Sequence, residues 1–335
     1  MNKKNWLLIL LACVVTFSTY SCKSKDDDTT DEVTEWTKGS AFDGGARSGA
    51  VSFLINNIAY VATGLATEGQ VSVPKKDIWA YNATSGTWSQ KAEFPGSARY
   101  AAVAFSIGNN GYVGSGYDGA NALSDFYKYD VSANTWTKIA DLPADAARYG
   151  AVAFSIGGFG YVGTGSKGND NNTNVKSFYK YDPTANSWTP VESPLKSNRR
   201  YGFAFVINNV AYVGGGIDNS SYPEDFFKFD GTKWTPLNDL DRSDNSYTYN
   251  LTRSSASTFV LNNLAYVVGG RKNTTINTIW EYNPTTDVWN ADNQVFQGQA
   301  RQDAVGFGID NVGYITTGQN GSNKYYDTWK FVPVK

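Results

Sequence analysis

Six arginines stand at near-regular intervals: Arg47, Arg99, Arg148, Arg199, Arg253 and Arg301, separated by 52, 49, 51, 54 and 48 residues. A guanidinium fork grips a carboxylate through two parallel hydrogen bonds, so arginines gathered at one mouth would make an anion or carboxylate site. The same side chains can instead pair with Asp77, Asp125, Asp225 and Asp327 of their own repeats. Arg271, directly after Gly270, has no counterpart in the other repeats and is singled out as a ligand contact. Tyr100, Tyr149 and Tyr201 lie close to repeated arginines, where a phenol ring either stacks on a sugar or packs into the structure. The chain has no histidine. That removes Ser-His and Cys-His nucleophile pairs and the commonest zinc and copper sites, so no metal or other cofactor is expected. Any catalysis must use carboxylate, tyrosine, lysine or arginine, and Glu224, between Pro223 and Asp225, is the carboxylate singled out as a general base. The run GNDNNTN from Gly168 could offer oxygens to calcium but lacks the EF-hand order, and reads as a loop.

The elements that must position these residues follow from the frame around each arginine. Six positions later comes a phenylalanine (Phe53, Phe105, Phe154, Phe205, Phe259, Phe307), and thirteen later a tyrosine (Tyr60, Tyr112, Tyr161, Tyr212, Tyr266, Tyr314). Four residues beyond each tyrosine stands a glycine. A period near 50 built of short strands is the signature of a propeller blade. The first strand alternates small residues with Val and Phe, as expected where blades converge on an axis and a bulky face meets a flat one. It ends in Asn56-Asn57, Gly108-Asn109, Gly157-Gly158, Asn208-Asn209, Asn262-Asn263 or Asp310-Asn311, pairs that tolerate the positive φ of type I′ hairpins. A third strand (DFYKYD from Asp125, for example) and a fourth carrying a Trp complete the blade.

Trp36 precedes the first arginine by 11 residues, as Trp88 precedes the second, while the last repeat, Arg301 to Phe331, leaves no Trp to supply its fourth strand. The strand of Trp36 is therefore expected to complete the last blade and close the ring, hiding its edges. The predicted fold is all-β, a six-bladed propeller over residues 34–335. The arginine ends of the strands and the variable loops fall on one face. The longest connection there, 18 residues between Trp234 and Arg253, carries Asp239, Asp241, Arg242 and Tyr247. Function is expected on this face and not on the uniform turn face.

The glycine-ended strands, the Tyr and the later Trp, at these spacings, resemble the kelch repeat, and six copies resemble a six-bladed kelch propeller of the galactose oxidase central-domain type. The doubled glycine of the repeat survives only at Gly269-Gly270 and in Gly214 to Gly216; Thr63, Ser115, Thr164 and Thr317 replace its first member elsewhere. Kelch adaptor proteins, as this resemblance implies, hold acidic peptides with arginines at the same strand position. Galactose oxidase needs histidine copper ligands and a cysteine bonded to tyrosine, and residues 34–335 contain neither. Kelch sialate epimerases, also six-bladed, imply a rival reading in which the chain modifies a carboxylated sugar. A structural adhesion module is a third.

Residues 1–22 have the form of an export signal: Lys3 and Lys4, an apolar run from Trp6 to Phe17, then small and polar residues up to Cys22. A cysteine directly after such a run resembles a bacterial lipobox, with Cys22 rather than Cys13 as the lipidated residue. Residues 23–33 read as an acidic, flexible tether, and an acidic cluster behind the lipid cysteine also resembles the surface-export signal of Bacteroidota lipoproteins. Once Lys3 and Lys4 leave, 29 basic groups become 27 against 31 acidic ones, a net charge of −4 that argues against a nucleic-acid partner. The expectation is a monomeric outer-membrane lipoprotein, membrane-bound through its lipid alone, whose propeller binds a glycan or a surface protein.

Overall fold

The computed structural model describes residues 36–168, 173–290 and 295–333. The signal segment with Cys22, the tether and part of the GNDNNTN run lie outside them. Five blades are four-stranded antiparallel sheets in chain order, such as Val103–Ile107, Asn110–Gly114, Phe126–Asp130 and Thr135–Lys138 in blade two. The sixth runs Val305–Ile309, Val312–Thr316, Thr328–Phe331 and then Trp36–Lys38 from the chain's start. Trp36 pairs with Phe331 and Lys38 with Trp329, the closure expected from the spacing of Trp36.

Each hairpin between the first two strands turns as its sequence dictates. Asn56 and Asn57 lie at φ 50° and 58°, and the turns of blades three to six likewise carry two left-handed residues. In blade two the left-handed residue is Gly108.

The blades meet through aromatic rings. Phe53 stacks on Tyr60 at 5.0 Å, and Tyr60 meets Tyr129 of the next blade edge-on at 5.7 Å. The same triplet recurs around the ring to Phe307, Tyr314 and Tyr81. Opposite each Phe the next blade must be flat: a Cβ on Gly111 would stand 2.2 Å from the Phe53 ring, and Gly160 faces Phe105 in the same way. A buried Phe is worth about 3–5 kcal/mol against Ala, so this large-against-small seating is a principal source of stability.

Two rings of backbone hydrogen bonds tie the blades near the axis. In the outer ring each strand-two glycine donates to the next blade's arginine carbonyl, from Gly64 to Arg99 at 2.9 Å round to Gly318 to Arg47 at 2.8 Å. In the inner belt, two residues past each arginine, Ala101 donates to Gly49, Gly150 to Ala101, Tyr201 to Gly150, Ser255 to Tyr201, Asp303 to Ser255 and Gly49 to Asp303, all within 2.7–3.0 Å. All six belt residues have positive φ, between 49° and 61°. Non-glycine residues hold that conformation only where the surroundings over-determine it, and here the belt itself does so.

Candidate functional site

The six repeated arginines do not form an open ring at the channel mouth. They are 0–3% exposed, each folded into its own blade. Arg99 donates to both carboxylate oxygens of Asp125 at 2.6 and 2.8 Å and to the carbonyl of Ser115 at 3.0 Å. Arg47 with Asp77 and Arg301 with Asp327 repeat this fork, and Arg199 binds the buried Asp225. Burial raises Asp77 and Asp327, but the hydrogen bonds and charge of their arginines, with a Trp N–H on each, draw both below the usual carboxylate range. Arg148 and Arg253 meet Ser177 and Thr278 where the others meet Asp, and burial pulls both guanidinium groups down to about 10.

The carbonyl each arginine also grips belongs to the residue preceding the conserved glycine. That residue is left-handed in every blade: Thr63, Ser115, Thr164, Gly215, Gly269 and Thr317, with φ from 59° to 65°. Three threonines thus occupy a conformation that suits glycine, with hydroxyls buried and unpartnered among the described residues. The arginine therefore works as a staple: it joins the ends of the first two strands to the start of the third and fixes a backbone that the side chain opposes. The expectation of a ligand-binding arginine ring is corrected accordingly, because a guanidinium spent on this staple has no face left for a ligand.

The arginine face nevertheless carries a cavity of about 510 Å³, set off-axis over blades four to six. Its walls include Arg200, Tyr201, Tyr222, Arg271, Gln302 and Asp303. Arg200, at the start of its strand, donates to the Tyr149 hydroxyl at 2.7 Å, and its buried Nε–H has no partner among the described residues. Exposed Arg271 opens the hairpin Arg271–Lys272/Thr274–Thr275 and donates from Nε to the Asn273 carbonyl at 3.2 Å. Neither arginine forms an ion pair among the described residues. Tyr201 belongs to the axial belt, and desolvation, with the charge of Asp303, pushes its phenol up.

Of the residues singled out in the sequence, only Arg271 and Tyr201 line this cavity. Tyr149 is buried, and with half-buried Tyr100 it joins a cluster with Tyr117, rings 5.1–6.2 Å apart, that runs from blade two to Tyr201. Tyr100 and Tyr149 therefore pack against protein and back the cavity wall. Glu224 is exposed and does not line the cavity. The residues missed are Arg200, Gln302 and Asp303. They stand one or two positions after a repeated arginine, where other blades have Ser48, Gly49, Ala101 or Gly150, so departure from the repeat was their signal. The turn face is not featureless either: a channel cavity of about 290 Å³ opens among Leu54, Ser106, Ser155, Val206 and Val260.

Residues 99–143 and 252–291 match the family model described as Kelch motif. Kelch-like protein 25 of Xenopus tropicalis is 27% identical over 238 residues, 68% of this chain and 37% of that protein. Kelch-like protein 24 of Rattus norvegicus is 33% identical over 217 residues, 64% of this chain and 33% of its own length. The matched region thus spans about a third of these relatives. The solved structure of YjhT superposes with a TM-score of 0.68 at 16% identity, covering 86% of this chain and 95% of that one. Repeat and fold are those of a six-bladed kelch propeller, an architecture suited to binding ligands or proteins.

Proposed function

We propose that this kelch-repeat propeller binds an acidic ligand, a carboxylated glycan in the first instance, in the cavity over blades four to six. The observation that carries the reading is the pair Arg200 and Arg271, two guanidinium groups that line one cavity and have no ion-pair partner among the described residues. Around them Asn219, Asn273, Gln302 and Gln319 offer amides, and Tyr201 and Tyr222 offer rings, the mixture that sugars use. The test is a glycan array with sialylated, uronic-acid and neutral glycans, read for the wild type and for the Arg200→Ala/Arg271→Ala variant. Hydrogen bonds to charged groups contribute about 1.5–3 kcal/mol each, so affinity for acidic glycans is expected to fall at least about tenfold per arginine. A blank array, or unchanged binding by the variant, overturns the reading and turns the search to a protein partner.

We further propose that the propeller is exported and held at the outer membrane through a lipid on Cys22, with residues 23–33 as its tether. The support is the export-signal form of residues 1–22. Metabolic labelling with a lipid precursor, lost on Cys22→Ala, is the expected outcome. An activity resembling that of the sialate epimerases is the rival, favoured by one observation: a carboxyl, Asp303, lines the cavity where Glu224 does not.

A further inference from the structure

The cavity that presents two arginines also contains a carboxyl. Asp303 is half-buried, and its backbone is held left-handed by the axial belt at φ 55°. Its Oδ2 accepts from the Nε2–H of Gln302 at 2.9 Å and of Gln319 at 3.3 Å, and the Ser48 hydroxyl donates to Gln319 Oε1 at 2.9 Å. No ion pair reaches Asp303 among the described residues. The charged and titratable groups facing it are Arg271 from the blade-five hairpin and Tyr201 of blade four, with Arg200 next to Tyr201. Arg47 and Arg301, its neighbours along the outer ring, are turned away into Asp77 and Asp327. Desolvation pushes the Asp303 carboxyl above the usual range, against the hydrogen bonds of Gln302, Ser255 and Gln319 and the charge of Arg271.

A neutral hydrogen-bonding shell stabilises a carboxylate without cancelling its charge. A second negative group entering the same partly desolvated space disfavours ionisation of the first, and two such groups titrate as a coupled pair. We propose that ligand binding in this cavity is proton-linked: an acidic ligand enters together with one proton from solvent, which Asp303 takes. The inference rests on the acidic-ligand reading above. No other bond forms or breaks; the neutral carboxyl gains an O–H that can donate to the ligand. Neutral sugars bring no charge, so their binding carries no proton.

The sign follows from linkage. Binding raises the pKa of Asp303, so affinity is highest below its free-state pKa and falls as pH rises toward the bound-state pKa, by up to about tenfold per pH unit. The test is calorimetric titration of the full-length chain with sialyllactose and with glucuronate. Lactose and glucose are the neutral controls, and the range runs from about pH 5 to about pH 8 in two buffers of unlike ionisation enthalpy. The expected result is proton uptake on binding an acidic ligand by the wild type, passing through a maximum of at most one proton within this range, and by Asp303→Asn a pH-flat affinity with no uptake. A flat wild-type profile, or uptake that survives in Asp303→Asn, overturns the inference while leaving acidic-ligand binding intact. Should that variant not fold, the carboxyl carbon shift of Asp303 in ¹³C-labelled wild type decides: a midpoint that ligand does not move overturns it equally. Absence of binding by both acidic sugars at every pH overturns the acidic-ligand reading, and this inference with it.

Discussion

Trp36 closes the ring, and replacing it with Ala should show what closure contributes. The side chain is 2% exposed, wedged edge-on against Phe296 at 4.8 Å and tilted against Phe331 at 4.9 Å. Its indole N–H has no partner among the described residues, so the substitution removes packing and no hydrogen bond seen there. Truncating a buried Trp to Ala costs about 3–5 kcal/mol, the cavity term included. Unfolding entropy of about 2 cal/mol/K per residue gives roughly 0.6 kcal/mol/K over the ~300 residues of the propeller, so Trp36→Ala should melt about 5–8 °C below the wild type. Thr37→Ala is the control: exposed on the same strand, it should change stability by less than about 0.5 kcal/mol. Differential scanning calorimetry on the two variants decides. A wild-type melting temperature for Trp36→Ala, or equal damage from both substitutions, would refute the role given to this side chain in closing blade six.

The arginine staple makes three further predictions. Asp125→Ala strands the buried Arg99 and should cost about 3–5 kcal/mol by urea denaturation, whereas Ser177→Asp should stabilise by about 1–3 kcal/mol, because Arg148 is already buried and lacks only a carboxylate. Asp77 and Asp327 have folded pKa values below their unfolded value of about 3.9, so their contribution is fully present above about pH 4 and lost as pH falls through the lowered values. Asp77→Asn/Asp327→Asn should therefore be less stable at neutral pH and lose less on acidification, as denaturation at a series of pH values would show.

The fold was legible because each repeat states the same geometry: Phe, turn pair, Tyr and glycine at fixed offsets, with Trp36 left over at the spacing its homologous residues keep. The site was legible only in part, for a physical reason. Repetition reveals what every blade needs, and every blade needs its arginine as a staple, so the most conspicuous charges were the least available to a ligand. The presence of Asp125, Asp225 and Asp327 26 residues after their arginines, and of Asp77 30 residues after Arg47, pointed to that pairing, but spacing alone cannot distinguish a guanidinium turned into its blade from one turned to solvent. Arg200, Gln302 and Asp303 each break the pattern once, but they do so within two residues of a repeated arginine whose own regularity dominates the reading. Arg271 stood out because it too breaks the pattern.

The inner belt runs in one sense around the axis, every amide pointing to the blade before it, while the outer ring runs in the other. Such a loop has no first or last member, and it sets the blade count. A solenoid can gain or lose a repeat at little cost, because each unit answers only to its neighbours. Here the gain or loss of one blade changes the circumference of both circles at once, so the angle between every pair of neighbouring blades must change with it. A substitution in the loops, as at the hairpin of Arg271, leaves both circles intact, whereas a change in the number of repeats alters both.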